Sequence, residues 1–219
     1  MPQSRTALRI QQAAETLFAE QGFAETTMRQ ITTEADVNLA AVNYHFGSKQ
    51  GLIQAVSETY LGPFAEYLQD AVHARTVDTS NETVAIEELI EMLVRAMLYV
   101  HQDNTRALPM FTRLLELAYL GSQEDLRSFL ARRFKTKLEG FIDLLRKDTA
   151  PMPDEEFFWR LHFMMGAMIF TLSNYHTLRG IEKETYNQEA AIEQTLHRMI
   201  PVLAAGFQAR AENTQFCRL

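Results

Sequence analysis

The sequence predicts an all-α chain with a three-helix head, built around a helix-turn-helix, followed by a longer helical body. Three observations carry this. Apolar residues recur at helical spacing and nowhere alternate with period two. Near the start, three brief apolar stripes are separated by joints of only a few residues. Beyond residue 84 the stripes lengthen, as in a helical bundle.

In the first helix Ile10, Ala13, Ala14, Leu17 and Phe18 form one stripe, and Gly22 is placed as its stop. The second opens at Thr27, with Gln30 three residues on as a capping box, and buries Met28, Ile31 and Ala35. Asp36-Val37 makes a tight turn, and Asn38 caps a third helix that runs to about Tyr44. Phe46-Gly47 breaks that helix, and Ser48 caps a fourth carrying Leu52, Ile53, Val56 and Tyr60.

At Gly62-Pro63 a proline ring should kink or interrupt the fourth helix before Phe64, Tyr67 and Leu68 resume its stripe. Residues 76–83 (TVDTSNET) read as a loop. Helices are then expected near 84–101, 105–120, 122–147, 154–178 and 187–210, with joints at Gly121-Ser122, 148–153 and 180–186. The division expected is a head over 1–47 and a body over 48–219, joined through the helix at 48–75.

Composition narrows the function. Of 219 residues 47% are hydrophobic, enough for a sizeable core, and the net charge is −7. That charge excludes a protein that coats nucleic acid by bulk electrostatics. Residues 1–60 hold only Arg5, Arg9, Arg29 and Lys49 against Glu15, Glu20, Glu25, Glu34, Asp36 and Glu58, so any nucleic-acid contact must gather its few cations on one side. The opening residues lack an apolar signal core, and the apolar stretch 157–172 is broken by Arg160 and His162, so the chain is read as soluble, unexported and cytoplasmic, with no membrane partner.

No cofactor, metal or catalytic residue is expected. The lone Cys217, in the polar tail, excludes an internal disulfide and a multi-cysteine zinc site. A helical di-iron enzyme, the rival from another class, needs paired Glu-x-x-His motifs, yet none of the six histidines has Glu three residues before it. A nucleophilic triad has no local signature either.

A second helix, a short turn and a third helix are the parts of a helix-turn-helix, whose latter helix enters the major groove of double-stranded DNA. On that helix Val42 and Phe46 face inward, leaving Leu39, Ala40, Asn43 and Tyr44 outward. The small Ala40 and Ala41 permit close approach and contact with thymine methyls, while Asn43 offers hydrogen bonds to a base edge or phosphate. Thr27, Tyr44, His45 and Lys49 suit phosphate contacts, and Arg29 can reach a base or a phosphate. Residue by residue, Asn38 and Ser48 also read as plain caps and Tyr44 as a packing aromatic.

The constellation as a whole resembles the N-terminal domain of TetR-family repressors over about residues 7–55. The resemblance is carried by AAETLF at 13–18, GF at 22–23, TTMRQI at 26–31 and AVNYHFGSK at 41–49, in the family's order and spacing. Two positions depart: Asp36 stands where glycine is usual, and Gly51 where a charged helix former is common. Asp tolerates a left-handed backbone better than most residues, so the turn is plausible. A finer resemblance, through 37–49, 52–56 and 61–64, is to the PsrA-type branch, regulators of fatty-acid metabolism that respond to long-chain fatty acids or their thioesters.

The resemblance implies a homodimeric repressor, joined through its last two long helices, that binds a palindromic operator and releases it on binding a hydrophobic effector. Stripes suited to the dimer are Phe163, Gly166, Ala167, Phe170 and Asn174, and Ile192, Leu196, Met199, Ile200 and Leu203. For a fatty-acid or acyl-CoA effector, Met97, Phe111, Leu115, Phe134, Leu138, Phe141, Met164 and Met168 are the pocket candidates, though each taken singly reads first as core. Headgroup candidates are Arg95, His101, Arg113, Arg160, His162 and His176. Two alternatives stay open: a regulator of efflux or other metabolism with a different hydrophobic ligand, and a helical acyl-binding protein without DNA activity.

Overall fold

A computed structural model of the chain describes residues 4–78, 84–102, 104 and 106–209. Among the described residues it holds ten helices and no strand, the all-α class expected. Cys217 and most of the expected 76–83 loop lie outside the described residues.

The head elements form where local chemistry places them. Helix α1 (Arg5–Gln21) is capped by Ser4, whose Oγ accepts from the Ala7 N–H at 3.1 Å. It ends at Gly22, whose φ of +88° lets its N–H turn back to the Phe18 carbonyl. Helix α2 (Met28–Glu34) carries the expected capping box: Thr27 Oγ1 accepts from the Gln30 N–H, and Gln30 Oε1 accepts from the Thr27 N–H. Helix α3 (Leu39–Phe46) starts on Asn38, whose Oδ1 accepts from the Ala41 N–H at 2.9 Å. It runs two residues past Tyr44 and stops at Gly47, with φ at +73°.

Helix α4 (Lys49–Asp78) passes through Pro63 without interruption, which removes the break from the two outcomes expected there. The proline removes one N–H that would reach the carbonyl four residues back. Burial of Tyr60, Leu61, Phe64, Ala65 and Leu68 on both sides holds the helix together across that missing bond.

Then come α5 (Ile86–Gln102), α6 (Ala107–Tyr119), α7 (Glu124–Asp148) and α8 (Asp154–Ser173), close to the expected spans. An expectation is corrected near the C-terminal end of α8. The single helix expected over 154–178 breaks at Asn174, and the expected joint 180–186 lies inside α9 (Tyr175–Tyr186). Asn174 Nδ2 donates to the Phe170 carbonyl alongside the residue's own backbone N–H, so both close on the last turn of α8. The chain turns instead at Asn187, with φ at +53°, and α10 (Ile192–Gln208) starts later than 187. Glu182 accepts from the Ala190 N–H and from Arg198, and Glu189 pairs with Arg179 and Lys183, which fixes that turn.

The chain clusters into two compact units, Met1–Glu66 with Tyr99–Thr136 and Tyr67–Leu98 with Lys137–Leu219. In the first, one core joins Ile10, Ala14, Phe18, Ile31, Val42, Leu52 and Val56 to Met110, Leu114 and Leu117 of α6. Arg113 of α6 donates to the carbonyls of Phe18 and Ala19 at the end of α1, a cation where the helix dipole favours one. In the second unit, Leu196, Ile200 and Leu203 of α10 are buried within the chain, as are Phe157, Met164 and Met168 of α8. The expected dimer stripe on α10 is thus largely internal, on a helix that packs against α8.

Candidate nucleic-acid interface

Three short elements position the outward face of α3. Val42 is fully buried beneath the helix and Phe46 packs half-buried on the same core, so the opposite face turns outward. Leu39 is 51% and Tyr44 85% exposed, with Ala40 and Asn43 exposed beside them and Ala41 half-buried. An exposed tyrosine and leucine on an eight-residue helix cost solubility for no gain in packing, the pattern of a surface kept for contact. His45 is half-buried, edge-on to the Tyr44 ring at 5.0 Å, with its Nε2 3.4 Å from Ser4 Oγ.

Thr27 and Arg29 are exposed at the start of α2, where the helix dipole suits an anion. Lys49, expected at a phosphate, points its Nζ to the Ala24 carbonyl at 3.3 Å. Partial burial lowers its ammonium below the usual lysine value, against the opposing pull of Glu25. Its charge therefore also ties the loop before α2 to the start of α4.

The turn between α2 and α3 is gripped by Arg9, a residue that sequence reasoning missed. Asp36 takes a φ of +49°, the left-handed backbone expected of it in glycine's place. Arg9 of α1 reaches it: Nη2 donates to the carbonyls of Ala35 and Asp36 and to Asp36 Oδ2. The only hint in the sequence was the non-glycine at 36, a backbone needing support. Gly51 also has a structural reason. A β-carbon there would lie 2.0 Å from the Phe46 carbonyl oxygen, so glycine lets α4 start against the end of α3.

The effector candidates do not share one compact unit. Phe111, Leu115 and Phe134 belong to the first unit, and Met97, Leu138, Phe141, Met164 and Met168 to the second. Six of them are buried, and Leu115 and Leu138 are half-buried. Within the second unit a groove of about 330 Å³ lies on α4 and α5, lined by Tyr67, Ala71, Glu88, Glu91, Met92 and Arg95. Of the headgroup candidates, Arg95 pairs with Glu91 and Arg113 holds the end of α1. Arg160 is buried on Glu156 and on the carbonyls of Gly206, Phe207 and Ala209. His162 Nδ1 meets the Phe158 carbonyl, His176 is exposed, and His101 keeps a buried Nδ1 with no hydrogen-bond partner among the described residues.

Comparison with known proteins decides the family. Residues 10–56 match bacterial regulatory proteins of the tetR family, and residues 91–206 match the tetracyclin repressor-like C-terminal domain. The HTH-type transcriptional repressor Rv3405c of Mycobacterium tuberculosis is 31% identical over 159 residues, which is 68% of this chain and 81% of that protein. The chain belongs to the TetR family.

A further likeness is to the probable HTH-type transcriptional regulator YttP of Bacillus subtilis, 31% identical over 106 residues. It covers 47% of this chain and less than half, 46%, of YttP. Among solved structures, the fatty acid degradation regulator FadR from Bacillus halodurans shares the fold with a TM-score of 0.58 at 16% identity, over 96% of this chain and 100% of that one. These families and relatives are regulators of transcription rather than enzymes. The face of α3 lies within the TetR N-terminal match, and α6 within the C-terminal one. No helix among the described residues is long and apolar enough to cross a membrane.

Proposed function

We propose that this chain is a ligand-responsive repressor that binds a palindromic operator as a cytoplasmic homodimer. The observation that carries this reading is the outward face of α3, an exposed Leu39, Ala40, Asn43 and Tyr44 on a helix fixed by Asn38, Val42 and Gly47. In this reading Leu39, Ala40, Ala41 and Asn43 meet base edges, and Thr27, Arg29, Tyr44, His45 and Lys49 meet phosphates. Residues 1–47 act as the DNA-reading head and 48–219 as the effector-binding and dimerising body, joined through the first part of α4.

The effector in this proposal is a long-chain fatty acid or its acyl-CoA. Support comes from the PsrA-type resemblance through 37–64 and from the methionines and phenylalanines of the body, which suit an adaptable apolar site. The Bacillus halodurans neighbour is by name a fatty acid degradation regulator, and at 16% identity that likeness speaks to fold. Of the lining candidates, Met97, Leu138, Phe141, Met164 and Met168, which share the second unit, remain the proposed ones. The homodimer is supported by an aromatic face of α8 left exposed, with Phe163 at 67% and Phe170 at 60%.

The two recognition helices of a dimer must stand about 34–36 Å apart to read successive turns of the groove. A ligand that displaces α4 spoils that spacing. A ligand favouring the released state by about 2.7 kcal/mol shifts the equilibrium roughly a hundredfold. Asn43→Ala and Tyr44→Ala test the head: operator binding is expected to fall at least tenfold with helicity and dimerisation kept. Unchanged binding in both would overturn the assignment of α3.

A further inference from the structure

Arg9 lies on α1, apart from the residues proposed to meet bases or phosphates. Its Nη2 is 2.6 Å from the Ala35 carbonyl oxygen and 3.1 Å from both the Asp36 carbonyl and Asp36 Oδ2. That nitrogen carries two hydrogens, so three oxygens share them. Ala35 caps the C-terminal end of α2, where carbonyls lack helical partners and the dipole favours a cation. Asp36 is one of two described non-glycine residues at positive φ. The guanidinium therefore grips the end of one helix and the single left-handed residue that redirects the chain.

Beyond Asp36 the chain has no slack. The Val37 N–H donates to the Thr32 carbonyl at 3.0 Å, and Asn38 is already the N-cap of α3. A rotation at Asp36 is passed over two residues to the helix that carries Leu39, Asn43 and Tyr44. The sequence places aspartate where a glycine would adopt this backbone freely, and a cation from another helix stands against it.

We propose that Arg9 is a positioning residue of the interface, setting the α2–α3 turn and hence the pose of α3 without itself touching nucleic acid. This rests on α3 being the groove-reading helix. The full-length protein is tested as wild type, Arg9→Ala, Arg9→Lys, Asp36→Gly and the double variant Arg9→Ala/Asp36→Gly. Operator affinity is read over a range of salt, with hydrogen exchange at the Asp36 and Val37 amides.

Arg9→Ala is expected to lose at least tenfold in affinity, with both amides exchanging faster and dimerisation unchanged. Arg9→Lys should fall between, because one ammonium cannot reproduce the guanidinium fork. In the Asp36→Gly background, removing Arg9 should cost less than threefold. The dependence of log affinity on log salt should keep its slope, whereas losing a direct phosphate contact would reduce it by about 0.9. A reduced slope makes Arg9 a phosphate contact and overturns the positioning role, as does unchanged affinity or unchanged amide exchange in Arg9→Ala. A wild-type protein that selects no palindromic DNA removes the groove-reading helix, and this proposal falls with it.

Discussion

Leu114→Ala is predicted to destabilise the head although it lies on α6, far along the chain from α1–α3. Leu114 is fully buried, and its neighbours in the same core include Phe18, Ile31, Val42 and Leu52. Truncation removes three carbon atoms at ~0.8 kcal/mol each, or ~2.4 kcal/mol of transfer free energy. Incomplete collapse around the void takes the loss to ~3 kcal/mol, within the ~2–5 kcal/mol usual for such changes. Against a total of ~5–15 kcal/mol for a domain, that is a large fraction. Urea unfolding followed by circular dichroism should show a lower midpoint, by ~1–2 M if the slope is ~2 kcal/mol per molar. Hydrogen exchange should locate the loss in α1, α2 and the first half of α4. A loss below ~1 kcal/mol, or faster exchange confined to 67–98 and 137–208, would refute a core shared between α6 and the head.

Two further perturbations probe the same unit. Gly51→Ala places a β-carbon against the Phe46 carbonyl, and because backbone must move the cost should be ~1–3 kcal/mol with weaker operator binding; a neutral variant in both assays contradicts the close approach. Tyr60, whose hydroxyl donates to Glu15, has its pKa pushed up to about 12 by burial and then by the Glu15 charge. An unfolded tyrosine titrates near 10, so the stability Tyr60 contributes is complete below about pH 10 and is lost as pH rises toward 12. Wild type should therefore lose stability faster than Tyr60→Phe over that window, and parallel declines would contradict the shift.

Much of the head was legible because its signals are local. Thr27 with Gln30, Asn38, Gly22 and Gly47 each act on backbone groups within four residues, so spacing alone reveals them. The bonds between elements have no such signature. Arg9 reaches Ala35 across 26 residues and Arg113 reaches Phe18 across 95, and nothing in the local pattern marks either arginine as the partner of a carbonyl. For the same reason Arg113 and Arg160 looked like ligand contacts, when each is committed to a helix end. Breaker rules failed where packing or pairing outweighs them: Pro63 sits in a helix held by burial on both sides, and Gly180 lies in α9, whose end is held by ion pairs. On α10 the apolar stripe was visible, but periodicity does not say whether Leu196 and Leu203 face another copy or the chain's own α8.

The central claim, that the exposed face of α3 reads an operator under effector control, is tested most directly by one titration. Purified protein is added to a fluorescent library of palindromic DNA at fixed salt, with and without a long-chain acyl-CoA. Selective binding to one palindrome is expected, weakened about a hundredfold when the acyl-CoA saturates the protein. Binding without selectivity would contradict it, and selective binding indifferent to acyl-CoA and free fatty acid would keep the operator and refute the proposed effector.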